Sequence, residues 1–263
     1  MVKRSTLAVS LVVVLVLLSG CSAVLDGGSG DGTGAGTETP NSAEEFDYAD
    51  GFGPNGITDS QQALESYQSA VEARGSYAST HGFDARANDG NTSVDIENRV
   101  DFENQQGYQR ADVDSPTYSG LFESYYENDT RYRRSEVGGQ SNVSVDEQDF
   151  TTAELTSTDP IRPLLSNVSS YEVSIEQRDG TTVAVYERSG AEGIDSFYNL
   201  NESTNISAFS ATFAVDSEGI VHSASYDITY TTEGEERTVT MEFELSDLGE
   251  TSVERPDWVD EAR

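Results

Sequence analysis

Lysine is almost missing from this chain of 263 residues: Lys3 stands alone, and arginines supply the rest of the 15 basic residues. Against 48 Asp and Glu they leave a formal net charge of −33. So few bases exclude a general nucleic-acid binder, which needs clustered Lys and Arg to neutralise phosphates. They also argue against electrostatic docking on anionic lipid headgroups. Cysteine occurs once, as Cys21, which excludes a disulfide framework and a Cys-rich zinc site. Histidine occurs twice, as His81 and His222, leaving little material for triad or metal chemistry. No G-x-S-x-G elbow, phosphate loop, dinucleotide fingerprint or EF-hand calcium loop is found. No cofactor and no catalysis are expected.

Carboxylates are what the chain has in excess. They hold water strongly, and salt at 1 M screens their repulsion to within about 3 Å. Abundant acid with almost no lysine resembles the proteins of extreme halophiles. The alternative, an acidic disordered protein, conflicts with 13 Tyr, 10 Phe and clear strand alternation downstream. At the N-terminus, Lys3 and Arg4 precede an apolar run over residues 7–18, the length of a signal h-region and short for a membrane span. It ends in Leu18-Ser19-Gly20-Cys21, which looks like a lipobox. We therefore expect a signal peptide over 1–20 and a lipid on Cys21. A flexible tether rich in Gly, Ser, Thr and acid follows over 21–45, with a reach of about 25 Å. A single exported domain is expected over 46–263, held at the outer face of the cytoplasmic membrane through the lipid. Six N-x-[ST] sequons, at Asn91, Asn128, Asn142, Asn167, Asn201 and Asn205, are candidate glycosylation sites on exposed loops.

The domain opens on a helix over 59–74. Thr58 and Gln61 make a capping box, Ala63, Leu64, Tyr67, Ala70 and Val71 form an apolar stripe, and Gly75 is the stop. The period then changes to two. Strands are expected over 76–87, 93–103, 107–112, 121–127 and 131–137, with a polar loop over 138–148. A short helix begins at Asp159-Pro160, with Asp as N-cap and Pro in the first turn. A hairpin about Asp179-Gly180 joins strands over 171–177 and 181–188. Ile194, Phe197 and Tyr198 suggest one more helix, and strands over 207–215, 220–230 and 237–245 close the chain. Trp258 is expected across a sheet edge or a cavity mouth. The fold class is α+β: a long, mostly antiparallel sheet with a few short helices inserted.

The order of lipobox, tether, amphipathic helix, polar-out meander, helical inserts and final three-strand meander resembles the mycobacterial-type carrier lipoproteins and the bacterial lipoprotein-sorting carriers. It is also similar to the uncharacterised lipoproteins of haloarchaea. The resemblance spans about residues 57–258. It rests on Leu18-Ser19-Gly20-Cys21, the helix leading into Ser76-Tyr77, and the terminal Pro256-Asp257-Trp258. It implies a strongly curved sheet, a half-barrel, wrapping the helices around a hollow that takes acyl chains. A lipid or lipid-linked ligand would then be bound without chemistry. The rival reading is an envelope interaction module with a filled core; a protein partner is not indicated by the sequence.

Candidate cavity walls are the inward apolar positions Tyr77, Phe83, Val94, Ile96, Val100, Phe102, Phe209, Phe213, Tyr226, Ile228, Met241 and Phe243. Plain core packing explains each as well. Arg131 and Arg133 share a strand face, either as local charge balance or as a contact for a phosphate or sulfate headgroup. His81 and His222 fall on the apolar side of their strands, as hydrogen-bonded core or rim residues; a metal site would need both with a carboxylate.

Overall fold

The computed structural model describes residues 42–262, except 89, 149, 152–154, 169, 195–196, 198–199, 201–204 and 233. The leader, Cys21, most of the tether, Tyr198 and Asn201 lie outside these residues.

A small hairpin of β1 (Phe52–Gly53) and β2 (Gly56–Ile57) leads into α1 (Ser60–Ala73). The helix begins one residue later than the capping box predicts. Asp59 is the N-cap, and its Oδ1 accepts from the N–H groups of Gln61 and Gln62 at 3.0 and 3.1 Å. Aspartate is the stronger acceptor and wins over the neighbouring threonine. Gly75 ends the helix with φ +79, its N–H returning to the Glu72 carbonyl.

Six strands follow as one antiparallel meander: β3 (Ser76–Ala87), β4 (Gly90–Asp101), β5 (Gln106–Ser115), β6 (Tyr118–Glu127), β7 (Thr130–Val137) and β8 (Gln140–Glu147). β8 replaces the expected loop. Gly138 and Gly139 both take positive φ and close a two-residue hairpin, so a polar segment with few apolar residues still pairs as an edge strand. After α2 (Arg162–Asn167) comes a second meander: β9 (Glu172–Arg178), β10 (Thr181–Ser189), β11 (Asn205–Asp216), β12 (Val221–Thr232) and β13 (Glu235–Ser246). α2 starts later than expected and has no side-chain cap. Asp159-Pro160 forms a turn before it, and Pro163 occupies the first helical turn. A 3-10 helix (Asp257–Ala262) follows β13.

The two meanders form one open sheet of eleven strands, in the order β8-β7-β6-β5-β4-β3-β13-β12-β11-β10-β9. The first strand of one meander pairs with the last strand of the other, from Arg86↔Thr238 to Ala78↔Ser246. α1 rests against α2 and β3. The main core lies between these elements and one sheet face. Ala63, Tyr67 and Val71 of α1 are fully buried there, together with Tyr77, Leu164, Phe213 and Tyr226. Tyr186 stacks flat on Phe213 at 4.6 Å, with Tyr171 edge-on to both.

The opposite face carries a second cluster. Trp258 and Val259 pack with Val253 on Tyr125, flanked by Tyr108, Tyr132 and Val143 of β5, β7 and β8. Trp258 therefore caps the outer face of the first meander and lies at no cavity mouth. Burial with Glu127 alongside pushes the Tyr125 hydroxyl up to about 12.

Of the sequons, Asn128 lies on the exposed β6–β7 turn and Asn167 ends α2, while Asn91, Asn142 and Asn205 are exposed positions within strands. Strands at a sheet's rim expose side chains as loops do, so the loop expectation fails for these three.

Gly51 has φ +88, and a Cβ there would fall 2.2 Å from the Ala63 nitrogen. Gly180, at φ +84, faces open space. Gly51→Ala should lower unfolding free energy by about 2–4 kcal/mol, and Gly180→Ala by about 1 kcal/mol. Denaturant titration of both variants in matched salt checks this; equal losses would contradict the close contact.

Candidate functional site

The seam between the meanders brings two runs of inward residues together. One rung crosses four strands as Val94, Phe83, Met241 and Tyr226, each directly opposite the next. Beside it lie Ile96, His81 and Phe243 on one side and Ala85, Val239 and Ile228 on the other. The floor is apolar because strand alternation sends these side chains to one face while Asp84, Asp95 and Glu242 go to the other.

Over this floor is an apolar pocket of about 360 Å³. Pro160 and Phe197 with Leu200 form its other walls, and His81 and Asp159 are its charged or titratable lining. Beside it is a second, polar chamber of about 390 Å³; His81, Ile96, Asp159 and Pro160 line both. The chamber follows a polar rung that continues the same face: Ser79 lies opposite Asn98, and Asn98 opposite Gln109. Asn98 is buried and donates to Ser79 Oγ and Ser157 Oγ, each at 3.2 Å, while its carbonyl accepts from Gln109 at 2.9 Å. Tyr77 lies behind the lining residue Leu155, its hydroxyl bonded to the Leu155 carbonyl; burial pushes that hydroxyl up to about 12. Arg162 lines the chamber and is exposed at its rim.

Six of the twelve candidate wall residues meet at the pocket: Phe83, Val94, Ile96, Tyr226, Ile228 and Met241. The others do not line it. Tyr77, Val100, Phe209, Phe213 and Phe243 are buried in the main core, and Phe102 packs at its margin against Tyr77 and Phe150. Val100 also borders the polar chamber. Arg131 and Arg133 both reach Asp146 on the neighbouring strand, and Arg131 donates to the Tyr126 hydroxyl at 3.4 Å. The structure thus places them in charge balance at the far side of Tyr126, which itself lines the chamber. Sequence reasoning missed Ser79, Asn98, Gln109, Pro160 and Arg162. The signal for the chamber was Asn98, a polar interruption in the apolar series Val94, Ile96, Val100.

The histidines part company. His81 is half-buried in the inner face, and its Nδ1 has no hydrogen-bond partner among the described residues. Burial lowers its pKa below the ordinary 6.5, against an upward pull from Asp159. His222 leaves the apolar face. It is the extra residue of a bulge between Ala214↔Ser223 and Val215↔Val221, and it turns to an outer groove lined also by Asp95, Glu97, Glu242 and Glu244. Its Nε2 lies 2.9 Å from Asp216 Oδ2. Asp216 is buried, which alone would raise its pKa. The hydrogen bonds from His222 and from the N–H groups of Ile220 and Glu218 outweigh that and lower it. No cluster of three or more His, Cys, Asp or Glu suited to a metal is found among the described residues.

The site is thus an open antiparallel sheet with an apolar pocket beside a polar chamber. The chain belongs to DUF7537, a family of unknown function, whose profile matches residues 6–262. No curated protein matches it. Among solved structures, it is similar to the Mycobacterium tuberculosis lipoprotein LppX, at 13% identity and TM-score 0.38, over 74% of this chain and 97% of that one. It is similar to LprF from Mycobacterium bovis at 15% and 0.36, over 75% and 96%. A putative outer membrane lipoprotein-sorting protein domain from Vibrio parahaemolyticus follows at 11% and 0.27, over 77% and 98%. No described helix is long and apolar enough to cross a membrane.

Because its folded pKa lies below 3.8, the stability that Asp216 contributes is fully present above that pH and is lost as pH falls through the folded value. Asp216→Asn should therefore lose about 1–3 kcal/mol at pH 7 and show a flatter acid limb than the parent. Urea midpoints from pH 7 to pH 2.5 read both effects; parallel pH profiles would remove the assigned role.

Proposed function

We propose that the protein binds a hydrophobic ligand, a lipid or lipid-linked molecule, without acting on it chemically. The observation that carries this reading is the apolar pocket of about 360 Å³ floored by Val94, Phe83, Met241 and Tyr226. Its volume is within the about 300–1,000 Å³ range of small-molecule sites. A chain with only 35% hydrophobic residues has little apolar side chain to spare, yet thirteen residues, most of them apolar, line this pocket. Each CH₂ of a ligand buried there would contribute about 0.8 kcal/mol. The reading includes a sheet curved as a half-barrel around the helices. It also includes export, a lipid on Cys21, a glycosylated surface and residence at the outer face of the cytoplasmic membrane of a halophile. Support for the anchor is the lipobox Leu18-Ser19-Gly20-Cys21 followed by the tether.

Native mass spectrometry of the protein from a halophilic host, with organic extraction of the same sample, tests the ligand. A stoichiometric lipid or isoprenoid mass is expected. Met241→Trp, which fills the floor, should retain the fold by circular dichroism and lose that mass. A ligand-free parent with an empty extract overturns the proposal in favour of an envelope interaction module. For the anchor, Cys21→Ser should move the protein from the membrane fraction to the soluble or secreted one; unchanged fractionation would refute lipidation.

A further inference from the structure

Resting on the binding reading above, the polar chamber narrows the class of ligand. It shares His81, Ile96, Asp159 and Pro160 with the apolar pocket, so the two lie side by side along the inner face. A pure hydrocarbon would leave the chamber's hydrogen-bonding groups facing a chain that cannot satisfy them, at a cost. The chamber is also unusual in its charge. In a chain with 48 acidic residues, a single carboxylate, Asp159, lines it, against one arginine and one histidine. Most arginines here are matched to acids, as Arg74 is to Glu218, Arg110 to Asp112 and Arg178 to Glu176. Arg86, Arg99, Arg162 and Arg188 make no ion pair among the described residues, and of these four only Arg162 lines the chamber. Arg162 donates to Thr158 Oγ1 at 3.1 Å, although its guanidinium carries five N–H donors. The unpartnered Nδ1 of His81, which also lines the chamber, points to the same need for a polar group at this place.

We infer that the ligand is a single-headed amphiphile whose hydrocarbon chain lies on the Phe83–Met241 floor and whose anionic oxygen head, a carboxylate or a phosphate, sits in the polar chamber against Arg162. The arginine fork is suited to either oxyanion. The Arg162 guanidinium at the chamber's rim is the cation that a head seated there would meet. The headgroup contact thus moves from Arg131 and Arg133, which are matched to Asp146, to the first residue of α2.

Displacement of fluorescent parinaric acid tests this with three probes of equal chain length: the fatty acid, a monoalkyl phosphate and the alcohol. The parent should bind one or both anionic probes about tenfold more tightly than the alcohol, as expected for one charge-assisted contact. The tighter of the two names the source of the head. Arg162→Gln should bring that preference close to unity, and Met241→Trp should abolish binding of all three. An absent preference in the parent, or a preference that survives Arg162→Gln, overturns the head assignment and leaves the pocket intact. Failure of the parent to bind any probe overturns the pocket reading itself.

Discussion

The pairing of β3 with β13 is the interaction on which the rest depends. Each meander is held by local hairpins, and either would expose an apolar face if left alone. Their union at Ala78↔Ser246 through Arg86↔Thr238 makes one sheet and gives α1 and α2 a surface broad enough to bury Tyr67 and Leu164 completely. The same union creates the site. Val94 and Phe83 come from one meander, Met241 and Tyr226 from the other, and no floor exists until they share a rung.

That origin explains the contrast between the two chambers. Along the inner face, residues two apart on β3 belong to different rungs. His81 and Phe83 border the apolar floor, and Ser79 opens the polar row through Asn98 and Gln109. A shift of one rung, about 7 Å of strand, carries the surface from hydrocarbon-compatible to hydrogen-bonding. The outer face of the same strands bears Asp84, Asp95, Glu97 and Glu242, which supply the solvation an acidic protein uses in salt. A period of two therefore serves solubility and recognition on opposite sides of one sheet.

Much of the architecture was legible in the sequence because its signals are local. Residues 76–87 alternate cleanly and form β3 over those residues, and Asp179-Gly180 marks its hairpin with two positive φ values. β8 was illegible because its pairing comes from the Gly138-Gly139 turn and a neighbour strand, with little apolar alternation of its own. The floor residues Phe83, Val94, Ile96, Tyr226, Ile228 and Met241 were readable as inward-facing, but not as the lining of a pocket. Which inward positions border a pocket is a long-range outcome: Tyr226, Ile228 and Met241 belong to the buried core and line the pocket as well, whereas Phe213 is core and does not line it. Arg162 carried no sequence signal at all, since Arg86, Arg99 and Arg188 likewise make no ion pair among the described residues and only the fold sets Arg162 against the chamber.

The order of the strands has a kinetic side. β3 and β13 are separated by about 150 positions, and closing a loop of that size is entropically costly and slow compared with forming hairpins. The first meander can pair β3 to β8 early, but its inner edge must wait, unpaired, for the last strand of the chain. During that interval the free edge of β3 offers backbone groups to any other strand. Gly82 and the charged Asp84 and Arg86 along that edge are what a waiting strand needs to discourage the wrong partner. The pocket's floor forms only when β13 joins β3, so a chain that has lost β13 lacks half of that floor and keeps an open strand edge.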